Sequence, residues 1–360
     1  MSCEAGRFIL IYFIKQINKA LAGHGSWLMA RSFFLTFRPM HTFEHLSQLF
    51  AERFSLVNFP EKPASLYDPN RYFLQLGGKR IRPVLCLMAN ELFDDISKDA
   101  WQVANAIELF HNFTLVHDDI MDKAQLRRGM PTVHEKYGES TALLSGDVML
   151  VTAYDHLIRI SGKYVFTIVN IFNKTARQVC EGQQMDMDFE QQTEVDYNAY
   201  EEMISLKTSV LLAASLKMGA VLGGAGERNQ HLIYEFGRKL GLAFQVQDDY
   251  LDAFGDPDKF GKQVGGDIKS NKKTFLLIHA LSAASGSQKE KLQTLLKGHD
   301  EKKVDEVLNI YRASGVDDWA GRLKIKYLNE AMAHLEDVAV LSKRKEHLKQ
   351  LAQYLLQRDF

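Results

Sequence analysis

Two aspartate clusters share one spacing. Asp118, Asp119 and Asp122 form the first, and Asp248, Asp249 and Asp252 the second. Carboxylates four apart on a helix share a face, one turn apart. Held that closely, they repel each other unless a cation sits between them. Hard oxygen donors of this kind suit Mg²⁺, which takes one or two carboxylates and completes its shell with water and phosphate oxygens. Each cluster ends an apolar run. Leu109, Phe113, Leu115, Val116, Ile120 and Met121 surround the first; Leu242, Ala243, Phe244 and Val246 precede the second. Aspartates at the end of a mostly buried helix are costly without compensation. One cluster alone reads equally well as a solvated acidic face. A second copy 130 residues further on does not. Facing each other, the two would line a cavity with room for several Mg²⁺ ions, and its natural guest is a diphosphate.

Cations accompany both clusters. Arg127, Arg128 and Gly129 follow the first, and Lys262, Lys269, Lys272 and Lys273 follow the second around Gly265-Gly266-Asp267. Gly77-Gly78-Lys79-Arg80-Ile81-Arg82-Pro83 lies upstream, and Lys207-Thr208 sits in another helical stretch. Singly, each is more often a solvated charge. Together they supply the clamp that diphosphate oxygens need. His117 beside Asp118 reads as a structural hydrogen-bonding histidine rather than a base.

The elements that position these residues are helices. The seven prolines stand at 39, 60, 63, 69, 83, 131 and 257, leaving 132–256 and 258–360 without one. Long proline-free stretches with apolar residues three and four apart predict helices stacked on helices. Leu348, Leu351 and Leu355 show the pattern, with Lys349, Gln353 and Arg358 elsewhere. No alternating strand-like runs stand out. The expectation is an all-α fold, with breaks near Gly77-Gly78, Arg128–Pro131, Ser161-Gly162, Gly223–Gly226, Gly255–Pro257 and Gly265-Gly266. The stretch 284–305 predicts a surface helix and loop.

Taken together, Gly77–Pro83, both aspartate clusters, Arg127-Arg128-Gly129, Gly182-Gln183-Gln184-Met185-Asp186 and Lys207-Thr208 resemble the trans-polyprenyl diphosphate synthase family, in its order and spacing, from about Phe43 to the C-terminus. The resemblance implies an isoprenoid synthase helical bundle around a deep central cavity, usually in a homodimer. It implies that Asp118, Asp119, Asp122, Asp248, Asp249 and Asp252 hold two or three Mg²⁺ ions against an allylic diphosphate (dimethylallyl, geranyl or farnesyl). Arg127, Lys207 and Lys262 match positions gripping that diphosphate, and Lys272 matches a further lysine near it. Lys79, Arg82, His111 and Arg128 match the isopentenyl diphosphate site, and Thr208 and Gln245 match positions beside the allylic cation. In this family the departing pyrophosphate takes up the proton lost after condensation.

Product length should depend on the helix leading into the first cluster. Thr114 lies one turn before Asp118 and Phe110 one turn before Thr114, so Phe110 falls about 12 Å beneath Asp118. In similar enzymes an aromatic at the position of Phe113 marks short products. With only one bulky residue at 113 and 114, and no insertion in the first cluster, the expectation is geranylgeranyl diphosphate, then farnesyl diphosphate, then longer chains. The plainer alternative is that Phe110 and Phe113 only pack the core.

Composition excludes other classes. Basic and acidic residues number 44 and 45, without the basic excess of a nucleic-acid binder. Cys3, Cys86 and Cys180 are odd in number and far apart, as for free thiols in a reducing compartment. Residues 1–42 read as an N-terminal extension with Glu4 as the only acid before Pro39, against five basic residues. A targeting segment, a membrane-surface segment and an upstream mis-called start with Met40 as the true one all fit; the last is favoured, because amphipathic patterning begins at Phe43. The apolar run Phe8–Ile14 is too short to span a membrane. A cytoplasmic enzyme with a catalytic domain over 43–360 is therefore expected. A terpene cyclase would usually lack the second aspartate cluster and the Lys79/Arg82 pair. A His-Asp phosphohydrolase would need further histidines, and the regulatory subunit of a heterodimeric synthase would commonly have degraded aspartates.

Overall fold

The computed structural model describes residues 40–55, 57, 59–255, 265–298 and 302–356. The expected extension lies almost wholly outside them, as do Lys262 and the break at Asp256-Pro257. Helices carry nearly all of the described chain. The first four are α1 (Phe43–Phe54), α2 (Ala64–Gln75), α3 (Ile81–Phe93) and α4 (Lys98–Met121). A hairpin of two-residue strands follows, β1 (Leu126–Arg127) and β2 (Met130–Pro131), with Arg127 opposite Met130. Then come α5 (Val133–Tyr137), α6 (Glu139–Leu157), α7 (Gly162–Gln191), α8 (Tyr197–Ile204), a π-helical turn (Ser205–Ser209), α9 (Val210–Leu222) and α10 (Glu227–Phe254). The last are α11 (Gly266–Lys269), α12 (Phe275–Ala283), α13 (Gly286–Lys297), α14 (Lys303–Ala313), α15 (Val316–Glu336) and α16 (Ser342–Leu356).

Local chemistry starts these helices. Ser97 caps α4 by accepting from Ala100 N–H, Asp196 caps α8 by accepting from Ala199 N–H, and Thr274 caps α12 by accepting from Leu277 N–H. Ser285 and Gln288 form a reciprocal capping box at α13. Proline is a less strict punctuator than its spacing suggests: Pro69 lies inside α2, where it removes one helical hydrogen bond.

Helix α9 sits at the centre. All its residues but Lys217 are buried, and it packs on α3 and α10. Its all-round apolar character is that of a core helix. The stretch Tyr197–Leu222 is long and apolar enough to cross a membrane, but 72% of its apolar window is buried. Around it α4 pairs with α6, and α10 with α15. One hydrophobic core runs from Leu46 to Leu356. Within 284–305 the described residues form α13, a helix that buries only Leu292, and the start of α14.

Candidate active site

Both aspartate clusters sit at helix C-termini, Asp122 capping α4 and Asp252 lying in the last turn of α10. Negative charge there opposes the helix dipole. The site therefore concentrates anionic charge where the fold gains nothing from it.

The six aspartates divide into two kinds. Asp119 and Asp249 are 1% and 3% exposed and bonded to protein. Arg127 grips Asp119 bidentately, with Nε at 2.9 and 2.7 Å from its two oxygens and Nη2 at 2.6 Å from Oδ1. Asp249 accepts from Gln245 Nε2 (2.8 Å), Tyr200 OH (3.3 Å) and Phe275 N–H (3.3 Å). Asp118, Asp122, Asp248 and Asp252 keep solvent access, and Asp252 Oδ2 also accepts from Asp267 N–H at 3.0 Å. In each cluster the outer pair shares one helix face, while the middle residue, turned by about 100°, points into protein.

Burial pushes the Asp118 carboxyl up to about 6; Lys207 opposes the shift, and Asp122 and Asp119 reinforce it. Burial raises Asp249 to about 7, against the Gln245 hydrogen bond and with help from Asp267. Carboxylates held this uncomfortably are complementary to a cation. Among the described residues no three His, Cys, Asp or Glu side chains converge on one metal position. Each cluster thus offers a pair of carboxylates. That donor set fits Mg²⁺, which leaves most positions to water and phosphate oxygens.

The cations converge as well. His111 feels burial first and then Arg82, Arg128, Arg127 and Arg80, which together hold its imidazole well below the usual range. The neutral ring accepts from Arg82 Nη1 at 3.1 Å, and Arg82 Nε is buried without a partner. Arg127 and Arg128 are delivered by the β1–β2 hairpin. Its two loop residues, Arg128 and Gly129, have φ +54° and +76°, the double left-handed geometry of a tight type I′ hairpin. Arg128 donates to the Gly77 carbonyl and lies against Gly78, closing the hairpin onto the glycine loop. Lys79 at that loop is exposed.

Lys207 and Thr208 belong to the π turn, a distortion frequent at functional sites. Lys207 Nζ meets Asp186 Oδ2 at 2.6 Å, and Thr208 Oγ1 donates to Gln245 Oε1 at 3.4 Å. Glycines allow this packing. A Cβ on Gly182 of α7 would come within 2.3 Å of Lys207 N, and one on Gly241 of α10 within 2.7 Å of Ser209 Cβ. Burial lowers Lys272, but Asp267, Asp186, Asp249 and Asp122 outweigh it and hold the ammonium above its ordinary range. Lys272 lines a small space with Asp249 and Asp252 and also feels the charge of Asp122 in the first cluster.

Beneath the first cluster, Thr114 Oγ1 donates to the His111 carbonyl at 2.9 Å. Phe110 is 1% exposed, with Phe113 and Phe172 at 5.6 and 5.2 Å between ring centroids. Tyr154 extends the cluster, meeting Phe172 edge-on at 5.3 Å. His117 Nε2 lies 3.1 Å from the Leu143 carbonyl, and its ring packs edge-on to Phe113, as for a structural histidine.

Several participants had no individual role in the sequence reading. Arg80 makes a buried ion pair with Glu108 that pins the glycine loop to α4. Asp186 and Asp267 were visible inside quoted motifs. Tyr200, Phe172 and Tyr154 carry no local signature and reach the site only through packing.

A helical bundle with paired aspartate helices and a converging cationic clamp defines a class of diphosphate-handling prenyltransferases. The chain belongs to the polyprenyl synthetase family, whose model matches residues 63–314. It is 38% identical over 298 residues to a short chain isoprenyl diphosphate synthase of Methanothermobacter thermautotrophicus, covering 82% of this chain and 91% of that one. It is 37% identical over 302 residues to a geranylgeranyl diphosphate synthase of Methanosarcina mazei, covering 83% and 91%. A crystal structure of a geranylgeranyl pyrophosphate synthase superposes with a TM-score of 0.84 at 42% identity, covering 89% of this chain and 99% of that one.

Proposed function

We propose that this prenyltransferase condenses isopentenyl diphosphate with an allylic diphosphate to give geranylgeranyl diphosphate. The observation that carries the reading is the pair of solvent-accessible carboxylate sets, Asp118/Asp122 and Asp248/Asp252, with Lys272 beside Asp249 and Asp252. These four aspartates would hold the two or three Mg²⁺ ions, and Asp119 would instead fix Arg127. Bound there, Mg²⁺ supplies positive charge that favours departure of the diphosphate.

The chain's own groups do the rest. Arg127, Lys207 and Lys272 bind the allylic diphosphate, with Lys262 expected alongside them. Lys79, Arg82, Arg128 and neutral His111 bind isopentenyl diphosphate. The Thr208 and Gln245 oxygens face the developing allylic cation, which the double bond attacks, and the departing pyrophosphate takes the proton. Preorganised charge of this kind costs no reorganisation during reaction. The aromatic cluster of Phe110, Phe113, Phe172 and Tyr154 supports a floor that stops growth at C20.

We also assign a homodimer. Leu144, Val151 and Ile158 are 57, 62 and 65% exposed at seven-residue intervals, one stripe along and just past α6, which supports self-association. Cys86 and Cys180 are both free, in keeping with a cytoplasmic location. The catalytic unit would begin at α1. Release of pyrophosphate from isopentenyl and farnesyl diphosphates, present with MgCl₂ and abolished by EDTA, is the expected result. Absence of release with every allylic diphosphate would overturn the reading.

A further inference from the structure

A large cavity lies outside the carboxylate site and shares a wall with it. Its volume is about 1260 Å³, against roughly 300–1,000 Å³ for most small-molecule sites. The end of α7 and its loop to α8 form one side; α12, α13 and α15 form the other. Charge is segregated between these walls. The acids Glu190, Glu194 and Asp196 all stand on the α7–α8 side. The cations Lys273, Lys289, Lys297, Arg322 and Lys326 all stand opposite. The same elements contribute the apolar Ile278, Leu281 and Leu323, along with Ser282 and Gln293. His279 and Trp319 lie face to face there, centroids 4.0 Å apart and planes 3° from parallel, as a flat wall. A cationic rim over an apolar, aromatic wall is complementary to an anion bearing a long hydrocarbon tail.

The shared wall is the segment Asn271–Lys273. Asn271 lines both this cavity and the small space beside Asp249, Asp252 and Asp267; Lys272 lines only the latter and Lys273 only the former. Asn271 has φ +58°, and its side chain accepts from Nζ of Lys303 at 2.6 Å. Lys303 is 3% exposed, and the Asn271 and Lys272 N–H groups donate to the Ile268 and Asp267 carbonyls, so the segment is anchored on the carboxylate side while its two lysines face opposite cavities.

We propose that this cavity binds a prenyl or alkyl phosphate, and that occupancy shifts Lys272 through the Asn271–Lys273 segment. The binding half stands alone, whereas the coupling half rests on the role given to Lys272 above. Binding is measured by calorimetry on the full chain carrying Asp118→Ala and Asp248→Ala, in EDTA, so that the diphosphate site is disabled. Geranylgeranyl monophosphate should bind saturably at one site per chain, and about tenfold more weakly after Arg322→Glu or Lys297→Glu, as for loss of a charge-assisted contact. Dodecyl phosphate binding equally well assigns the site to alkyl phosphates in general; weaker binding assigns it to prenyl chains. No saturable binding, unchanged affinity in both variants, or inorganic phosphate binding as tightly would overturn the assignment. In the unmutated active centre with MgCl₂, the ligand should raise KM for farnesyl diphosphate, and Arg322→Glu should abolish the rise while basal KM is unchanged. A rise that persists in Arg322→Glu, or binding without any rise, overturns the coupling. Lack of turnover without ligand contradicts the proposed activity and leaves the binding result intact.

Discussion

The division of labour within each aspartate triplet is a consequence of helical phase. Asp118 and Asp122 face the open site, and Asp119 is turned into its bond with Arg127. Asp118→Ala should therefore lower kcat by about 10²–10³-fold, the usual loss when a charge-stabilising group is removed. Asp119→Asn should keep the Mg²⁺ dependence but release Arg127, with a ~10–100-fold loss in kcat/KM from misplacement. Steady-state kinetics across MgCl₂ concentrations separate the two, and equal loss of Mg²⁺ response would contradict the division. Asp249 makes a different prediction. Its folded pKa, about 7, exceeds the ordinary value, so the folded state binds the extra proton as pH falls. With Mg²⁺ removed, this group's contribution to stability should rise as pH falls from about 7 toward 4. Asp249→Asn should remove that slope and cost about 1–3 kcal/mol, because one of three donors loses its acceptor. Thermal melts across that pH range check both. The spacing shows which aspartates share a face. Which face points inward depends on Arg127, Tyr200 and Phe275, and only the last two are far in sequence.

At the scale of elements, the helices were readable and their distortions were not. Apolar periodicity and missing prolines mark the long helices. Glycines mark the breaks at Ser161-Gly162 and Gly223–Gly226. Ser205–Ser209 looks like ordinary helix by composition, yet it forms the π turn that carries Lys207 and Thr208. Its neighbours lie elsewhere in the chain, in α7 and α10, whose Gly182 and Gly241 let those helices approach it closely. Gly182→Ala should force those backbones apart, costing about 1–3 kcal/mol and displacing Lys207. Denaturant melts and KM for the allylic diphosphate should both change. Unaltered values in both would mean that the approach is not needed. The hairpin is a second case. The turn at Arg128-Gly129 was visible, but the two short strands were too brief to show alternation.

For the whole molecule, the question is where the growing chain stops. Phe110 is locked in the core, so Phe110→Ala would cost about 3–5 kcal/mol and confound a product assay. Phe113 is only half-buried, and Phe113→Ala should lengthen the product with a smaller stability loss. An unchanged product would assign Phe113 to packing alone. Phe172 and Tyr154 join the Phe110 cluster from α7 and α6, and no local pattern could place them there. The most direct test of the account is mass spectrometry of the product formed from isopentenyl and farnesyl diphosphates with MgCl₂. A predominant C20 prenyl diphosphate is predicted. A product fixed at C15, a ladder running well past C20, or no condensation at all would contradict it.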